Sequence, residues 1–110
     1  VGQTPVVIED NAFIGAGAVI VEGVQVSEGA VIAPGVVLSR SIPVYDCVKE
    51  RILEIGEAIP PYAVVVTGSR PVSANLKWAN DLGLTLRCAM IIKYKDAKTS
   101  AALELESCLR

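Results

Sequence analysis

Aliphatic residues recur at every sixth position through the first half of the chain. They form a row of Ile8, Ile14, Ile20, Val26, Ile32, Leu38 and Val44. A second row of small or aliphatic residues runs two positions ahead, at Val6, Ala12, Ala18, Val24, Ala30, Val36 and Ile42. Because side chains two apart in a strand point to the same side, both rows face one interior. The spacing predicts a hexapeptide-repeat solenoid.

Each repeat holds one short strand and one bend, so three repeats close a triangular coil of 18 residues. The residues expected to stack one coil apart are Ile8 with Val26 and Val44, Ile14 with Ile32, and Ile20 with Leu38. The bends are predicted at Asn11, Gly17, Gly23, Gly29, Gly35 and Ser41. Tight bends need positive φ, which glycine adopts without steric cost and asparagine more readily than most residues. The spacing alone does not give the hand of the coil.

The period breaks after Val44 and resumes near residue 59, where Ala63 and Val65 return to inward positions. Residues 45–58 are therefore predicted to be a loop or hairpin inserted into the solenoid. Two interpretations stay open: a tolerated surface insertion, or a lid or arm over a neighbouring subunit. The chain opens on Val1 without a polar cap, which predicts further coils upstream in a longer protein.

The predicted domains are a repeat region at 1–69 and a C-terminal region at 70–110. The C-terminal region begins with a connector that includes a helical turn at 74–80, followed by a strand at 84–94. Asp96 is the predicted N-cap of a final helix. The helix face predicted to pack inward consists of Ala97, Ala101, Leu105 and Cys108.

Composition excludes several classes of function. The net charge of −2 and the lack of a basic, aromatic-rich stretch argue against nucleic-acid binding. The sequence has no apolar run of about 18 residues and no secretory signal, so we expect a cytoplasmic protein without a membrane contact. The three cysteines are widely separated, which argues against a disulfide framework or a zinc ribbon, and Cys88 is expected to pack as a small apolar residue. No metal is expected.

Histidine is absent from the chain. A histidine zinc site of the kind found in hexapeptide-repeat carbonic anhydrases cannot be built from these residues. Neither can the histidine general base of many hexapeptide acetyltransferases.

A more specific resemblance rests on several segments together. These are VVIEDNAFIGAGAVIVEGVQVSEGAVI, VYD, IPPYAVVVTGS and the tail LRCAMIIKYKDAKT that closes on LR. They resemble the C-terminal part of tetrahydrodipicolinate N-succinyltransferases, and the tail is the most specific of them. The resemblance implies an all-β, left-handed parallel β-helix, a homotrimer, and succinyl transfer from succinyl-CoA to an amino-ketopimelate in lysine and diaminopimelate biosynthesis. Outward apolar residues such as Val7, Val31 and Val37 fit faces covered by neighbouring subunits.

The resemblance also implies a site for the CoA co-substrate. CoA would run beside a turn at Ala33–Gly35 and a turn at Thr67–Ser69, where Gly35 and Gly68 permit close backbone approach. The other interpretation is that both glycines are ordinary corner residues of the solenoid. Lys93 and Lys98 match tail lysines of the family, whereas Lys95 is an addition of this chain. The resemblance implies that Lys93 and Lys98 meet the CoA phosphates; the alternative is that they are solvated surface charges.

One departure concerns catalysis. The family reads Gly-Ala-Arg-Ser-Glu-Val where this chain has Gly17 and Val19 in place of the arginine and the glutamate. That glutamate is a catalytic candidate in the family, and valine cannot take a proton. Glu22 and Glu28 lie nearby as weak candidates for a replacement base or as solvated corner residues. Two classes of function follow: an N-succinyltransferase, or a transferase acting on another amine; and a non-catalytic solenoid kept for assembly or CoA binding.

Overall fold

The structure, a computed structural model, describes residues 5–110, so the expectation drawn from Val1 lies outside the described residues. Short strands at hexapeptide spacing form its first part. They are β1 (Val7–Ile8), β2 (Phe13–Ile14), β3 (Val19–Ile20), β4 (Gln25–Val26), β5 (Val31–Ile32) and β6 (Val37–Leu38). The remainder consists of further strands and two short helices.

The six short strands pair in parallel across one coil. Strand β1 pairs with β4, β2 with β5, and β3 with β6. The registers place Ile8 beside Val26, Ile14 beside Ile32, and Ile20 beside Leu38, all 18 positions apart. These stacks are as predicted, and they confirm the repeat from which they were derived.

The predicted stack of Val44 on Val26 is wrong. Val26 bridges to Ile59, and Ile32 pairs with Val65, so the next coil begins 33 residues later (65 − 32 = 33). That offset exceeds one coil by 15 residues (33 − 18 = 15). The extra residues lie in the segment between Leu38 and Ile59, which we call the excursion. As predicted, Ala63 and Val65 return to the interior, and both are fully buried.

The excursion contains a hairpin. Strand β7 (Val44–Asp46) pairs antiparallel with β8 (Arg51–Ile52). Val44 leaves the coil because β7 pairs in parallel with a strand from the end of the chain, β10 (Thr85–Tyr94). The hexapeptide spacing around Val44 does not predict pairing with a strand so far along the chain.

A long antiparallel ribbon follows. Strand β9 (Ala63–Pro71) pairs with β10, and the short helix α1 (Lys77–Asp81) lies between them. The six-stranded sheet has the order β2-β5-β9-β10-β7-β8. The predicted strand at 84–94 is confirmed, and α1 overlaps the predicted helical turn. The predicted turn at Thr67–Ser69 is wrong, because these residues continue β9 and are held straight by β10.

The final helix α2 (Ala101–Cys108) begins later than predicted. Its N-cap is Ser100, whose Oγ accepts a hydrogen bond from the Leu103 N–H at 3.2 Å. Asp96 instead accepts from the Lys98 N–H at 2.8 Å, in a turn before the helix. Of the four predicted inward residues, Ala97 lies outside the helix and is exposed, Leu105 belongs to the buried core, and Ala101 and Cys108 are partly buried against that core.

Burial increases from the first coil to the second. Ile8 is 47% exposed, whereas Ile32, which has a strand on each side, is 0% exposed and Leu38 is 2% exposed. Cys88 is buried, at 3% exposed, as predicted. Outward-facing Val7 is 42% exposed, but Val31, also predicted to face outward, is fully buried within the chain.

The corners follow the glycine pattern. Positive φ occurs at Asn11, Gly17, Gly23, Gly29 and Gly35, as predicted, but not at Ser41, where the chain leaves the coil. The equivalent corner of the third coil is Tyr62, with φ of 63°. A tyrosine in this region is strained and must be held by its surroundings.

Candidate functional site

Three separate segments meet at the edge of the second coil. The ribbon register places Ser69 directly opposite Arg87 and Gly68 opposite Cys88. Arg87 then reaches back across the coil, and its Nη2 donates a hydrogen bond to the Gly35 carbonyl oxygen at 3.0 Å. The predicted Ala33–Gly35 turn and the predicted Ser69 therefore lie beside each other, joined by an arginine that the sequence analysis did not single out.

The two candidate glycines have different surroundings. Gly35 has φ of 77°, and apart from its two chain neighbours no described residue has a heavy atom within 4 Å of the position that a Cβ would take. That open space allows a ligand to approach the backbone. At Gly68 a Cβ would lie 2.7 Å from Met90 Cγ, so internal packing already accounts for this glycine.

The other backbone groups of the site are partly in use. The Ala33 N–H donates to the Val65 carbonyl at 2.9 Å, and the Ala33 side chain is buried. Thr67 and Ser69 are exposed and project from the same side of β9, since alternate residues of a strand share a face. The accessible polar groups at this edge are therefore the Thr67 and Ser69 hydroxyls and the Arg87 guanidinium.

The tail lysines have three different environments. Lys93 forms an ion pair with the buried carboxylate of Glu104 on α2, and this hydrogen bond raises the pKa of Lys93. Lys95 Nζ donates to the Thr99 carbonyl at 3.0 Å, in the turn before α2. Lys98 is exposed, and within residues 5–110 its side chain enters no ion pair. Of the three, Lys98 has the ammonium group best placed for an external anion.

The candidates for a catalytic base lie elsewhere on the coils. Val19 is 49% exposed on β3, beside Val37 of β6. Glu22 is exposed at the following corner. Glu28 already has a structural contact, because its Oε1 accepts from the Tyr62 hydroxyl at 3.1 Å and this hydrogen bond raises the pKa of Tyr62.

Arg87 and the buried acid Asp46 are the residues that sequence reasoning missed. Each depends on a partner far away in the chain: Arg87 on Gly35, 52 positions away, and Asp46 on Tyr94, 48 positions away. The one available signal for Asp46 was its place in the VYD segment.

Two general features bear on the kind of site. Across residues 5–110, the histidine, cysteine, aspartate and glutamate side chains form no cluster of three or more suited to a metal ion. In the same part of the chain, neither helix has the length and apolar character needed to cross a bilayer.

Comparison with known proteins identifies relatives along the whole chain. Residues 5–40 match the family described as the hexapeptide repeat of succinyl-transferase. A 2,3,4,5-tetrahydropyridine-2,6-dicarboxylate N-succinyltransferase from Parvibaculum lavamentivorans is 44% identical over 106 residues, covering 96% of this chain and 36% of the relative. Its namesake from Burkholderia mallei is also 44% identical, covering 96% of this chain and 35% of the relative.

The chain is a homologue of these N-succinyltransferases. A protein named TabB from Pseudomonas amygdali pv. tabaci is 43% identical over the whole chain, which covers 37% of that relative. The resemblance predicted from the sequence is thus confirmed. The chain spans about a third of the length of the curated relatives it matches.

Proposed function

We propose that the protein is an acyl-CoA-dependent N-acyltransferase that moves a succinyl group from succinyl-CoA to the amino group derived from tetrahydrodipicolinate. The observation that carries this proposal is the 44% identity over 96% of the chain to proteins of that name. The similarity extends well past the repeat match at residues 5–40, into β9, β10 and α2. A role in lysine and diaminopimelate biosynthesis, in the cytoplasm, belongs to the same proposal.

The proposed scaffold is a left-handed parallel β-helix. The parallel pairing at 18-residue offsets supports a coil of three strands. Such a coil presents ranks of backbone N–H and C=O groups along which an extended pantetheine arm can lie.

The proposed donor site is the edge formed by Gly35, Ser69 and Arg87. A guanidinium carries five N–H donors, and within residues 5–110 Arg87 commits one hydrogen bond, to the Gly35 carbonyl. The remaining donors suit a phosphate, which arginine binds through paired hydrogen bonds. Lys98 follows the opposite end of β10 from Arg87, and it is a second candidate for a phosphate of the extended CoA molecule.

A homotrimer is part of the proposal. Apolar side chains remain exposed on the coil faces, among them Val7 at 42%, Phe13 at 37% and Val19 at 49%. Faces of this kind favour burial against a neighbour, and a cyclic arrangement would bring a second subunit to the donor edge. Sedimentation of the intact protein as a trimer at micromolar concentration would support this assembly, and a monomer would contradict it.

A non-catalytic CoA-binding or assembly role is the second candidate, and Val19 favours it. Acyl transfer from a thioester requires a base for the attacking amine and donors for the developing oxyanion. Valine supplies neither. For the enzyme to act, the base must come from another residue, with exposed Glu22 the first to examine.

The experiment that separates the two candidates uses the intact protein with succinyl-CoA and tetrahydrodipicolinate. Mass spectrometry would detect the N-succinyl product, and calorimetry would measure CoA binding in parallel. Product formation supports the transferase. CoA binding without product supports the second candidate, and absence of both contradicts the donor site itself. A second amine acceptor belongs in the same assay, because TabB is as similar as the named succinyltransferases.

A further inference from the structure

A cavity of about 370 Å³ lies where the coil is interrupted by the excursion. It is bounded by the corner at Gly23–Val24, the segment 38–44, the hairpin strand β8 with the residues after it, and Arg70 of β9. Its volume falls at the lower end of the range for small-molecule pockets. The cavity is therefore large enough for a small organic ligand.

Aliphatic residues make up about half of the cavity lining. The apolar residues that line it are Val24, Leu38, Ile42, Val44, Ile52, Leu53, Ile55 and Ile59. No aromatic side chain is among the lining residues of the described chain. Such a wall favours a hydrocarbon chain over a planar ring or a polar sugar.

Arg70 places an unsatisfied donor beside this aliphatic wall. Its Nε is buried, and among residues 5–110 it has no hydrogen-bond partner. A buried N–H without an acceptor is costly, and more so when the group is charged. An acceptor brought by a ligand would remove that cost.

The neighbouring acids do not neutralise Arg70. Glu57 lines the cavity but forms a bidentate pair with Arg51, with N–O distances of 2.9 and 2.6 Å. Glu54 also lines the cavity, yet no ion pair joins it to Arg70 within the described residues. The Nε of Arg70 is thus left for an outside anion, and Arg40, which also lines the cavity, adds a second positive charge.

We propose that this cavity binds a small aliphatic carboxylate, with the carboxylate on Arg70 and the hydrocarbon chain against the aliphatic wall. The site goes beyond the proposed acyl transfer and is separate from the donor edge. Arg70 and Ser69 are consecutive in β9, so their side chains project from opposite faces of the ribbon.

The test uses hexanoate as the probe and hexan-1-ol as its uncharged counterpart, titrated into the intact protein at pH 7. Methyl NMR shifts of Leu38, Ile52 and Leu53 report binding at the cavity. We expect hexanoate to shift these methyl signals and to bind about tenfold or more tightly than hexanol, since a charge-assisted hydrogen bond distinguishes them. Arg70→Gln should remove that preference, and Arg110→Gln, at an exposed position, should leave it unchanged.

Arg70→Lys tests the proposal if Arg70→Gln does not fold. It keeps the positive charge and should retain a preference for hexanoate. Equal binding of hexanoate and hexanol by the wild-type protein would overturn the proposal. So would methyl shifts confined to other residues, or no binding of either probe, which would mean that water alone satisfies the Arg70 Nε.

Discussion

Tyr94 donates a hydrogen bond from its hydroxyl to Asp46 Oδ2 across 2.5 Å, joining the last strand to the hairpin 48 positions earlier. Asp46 is 1% exposed. Burial acts to raise the pKa of Asp46, but hydrogen bonds from Tyr94 and from the Lys49 and Val48 N–H groups outweigh it, so the pKa is lowered. Burial, followed by the hydrogen bond to Asp46, raises the pKa of Tyr94 to about 12. The pair fixes β7 against β10.

Removing this hydroxyl should weaken the fold in a pH-dependent manner. Tyr94→Phe leaves a buried carboxylate with one donor fewer, and we expect the free energy of unfolding to fall by about 1–3 kcal/mol at pH 7. Because the pKa of Tyr94 is raised in the folded state from 10 to about 12, its contribution is present below pH 10 and is lost as pH rises towards 12. Denaturant unfolding from pH 7 to 11 measures both effects. A variant with the same alkaline profile as the wild type would contradict this assignment.

The contribution of Asp46 to stability depends on pH in the opposite direction, since it is lost on acidification. The pKa of Asp46 is lowered in the folded state, so its contribution is present above the unfolded pKa of about 4 and is lost as pH falls through the folded value. Asp46→Asn should flatten this acid-induced loss of stability. Thermal unfolding at pH 3 to 6 would show it, and an unchanged slope would mean that other carboxylates dominate.

The inward row of the solenoid should be the most sensitive part of the fold. Ile32 is fully buried between Ile14 and Val65. Ile32→Ala should reduce the free energy of unfolding by about 2–5 kcal/mol through lost packing and the cavity left behind. Gln25 is exposed, so Gln25→Ala should change it by about 0.5 kcal/mol or less. A larger loss at Gln25 than at Ile32 would contradict the register.

Two corner glycines form a matched pair for backbone strain. Gly29 and Gly35 have φ of 68° and 77°, but a Cβ at Gly29 would lie 2.2 Å from the Tyr62 ring, whereas Gly35 faces open space. Both alanine variants should carry the cost of positive φ, about 1–2 kcal/mol. Gly29→Ala should lose more than Gly35→Ala, because Tyr62 must also shift. Equal losses in urea unfolding would show that the ring moves freely.

The two tail lysines should separate into a structural and a ligand-binding residue. Lys98→Ala should weaken CoA binding by about tenfold while leaving dephospho-CoA unchanged, if Lys98 meets the 3′-phosphate. Lys93→Ala should instead lower the thermal midpoint, because it leaves the buried Glu104 without its ion pair. Calorimetric titration of both ligands decides the first point. Equal loss for CoA and dephospho-CoA would place Lys98 away from that phosphate.

The sequence predicted the part of the fold that depends on local period. Strands β1 to β6 and their pairing followed from the hexapeptide rows, because each coil repeats the same local geometry. The predicted stacking of Val44 was wrong, because its partner Ala89 lies in a strand 45 positions further along the chain (89 − 44 = 45). Ser100 replaced Asp96 as the N-cap for a smaller reason: both residues are good caps, and only the start of α2 distinguishes them.

Only some residues of the candidate site could be predicted from the sequence. Gly35 and Ser69 were reached through the resemblance to a family, and the structure brings them together. Arg87 was not predicted, because nothing in the sequence around a strand arginine indicates a contact with a turn in another coil. The same holds for Arg70, whose buried Nε appears only once the excursion and the ribbon close around it.

The measurement that tests the proposed transferase most directly is the rate of thiol release from succinyl-CoA by the intact protein, with and without tetrahydrodipicolinate, for the wild type and Val19→Glu. We expect release that depends on the acceptor, and a faster rate in Val19→Glu, since a general base typically contributes about 10²–10⁴ in rate. Release that is equally slow with and without the acceptor in both proteins would contradict the account. So would a robust wild-type rate abolished by Val19→Glu, which would place the base elsewhere, with Glu22→Gln the next variant to measure.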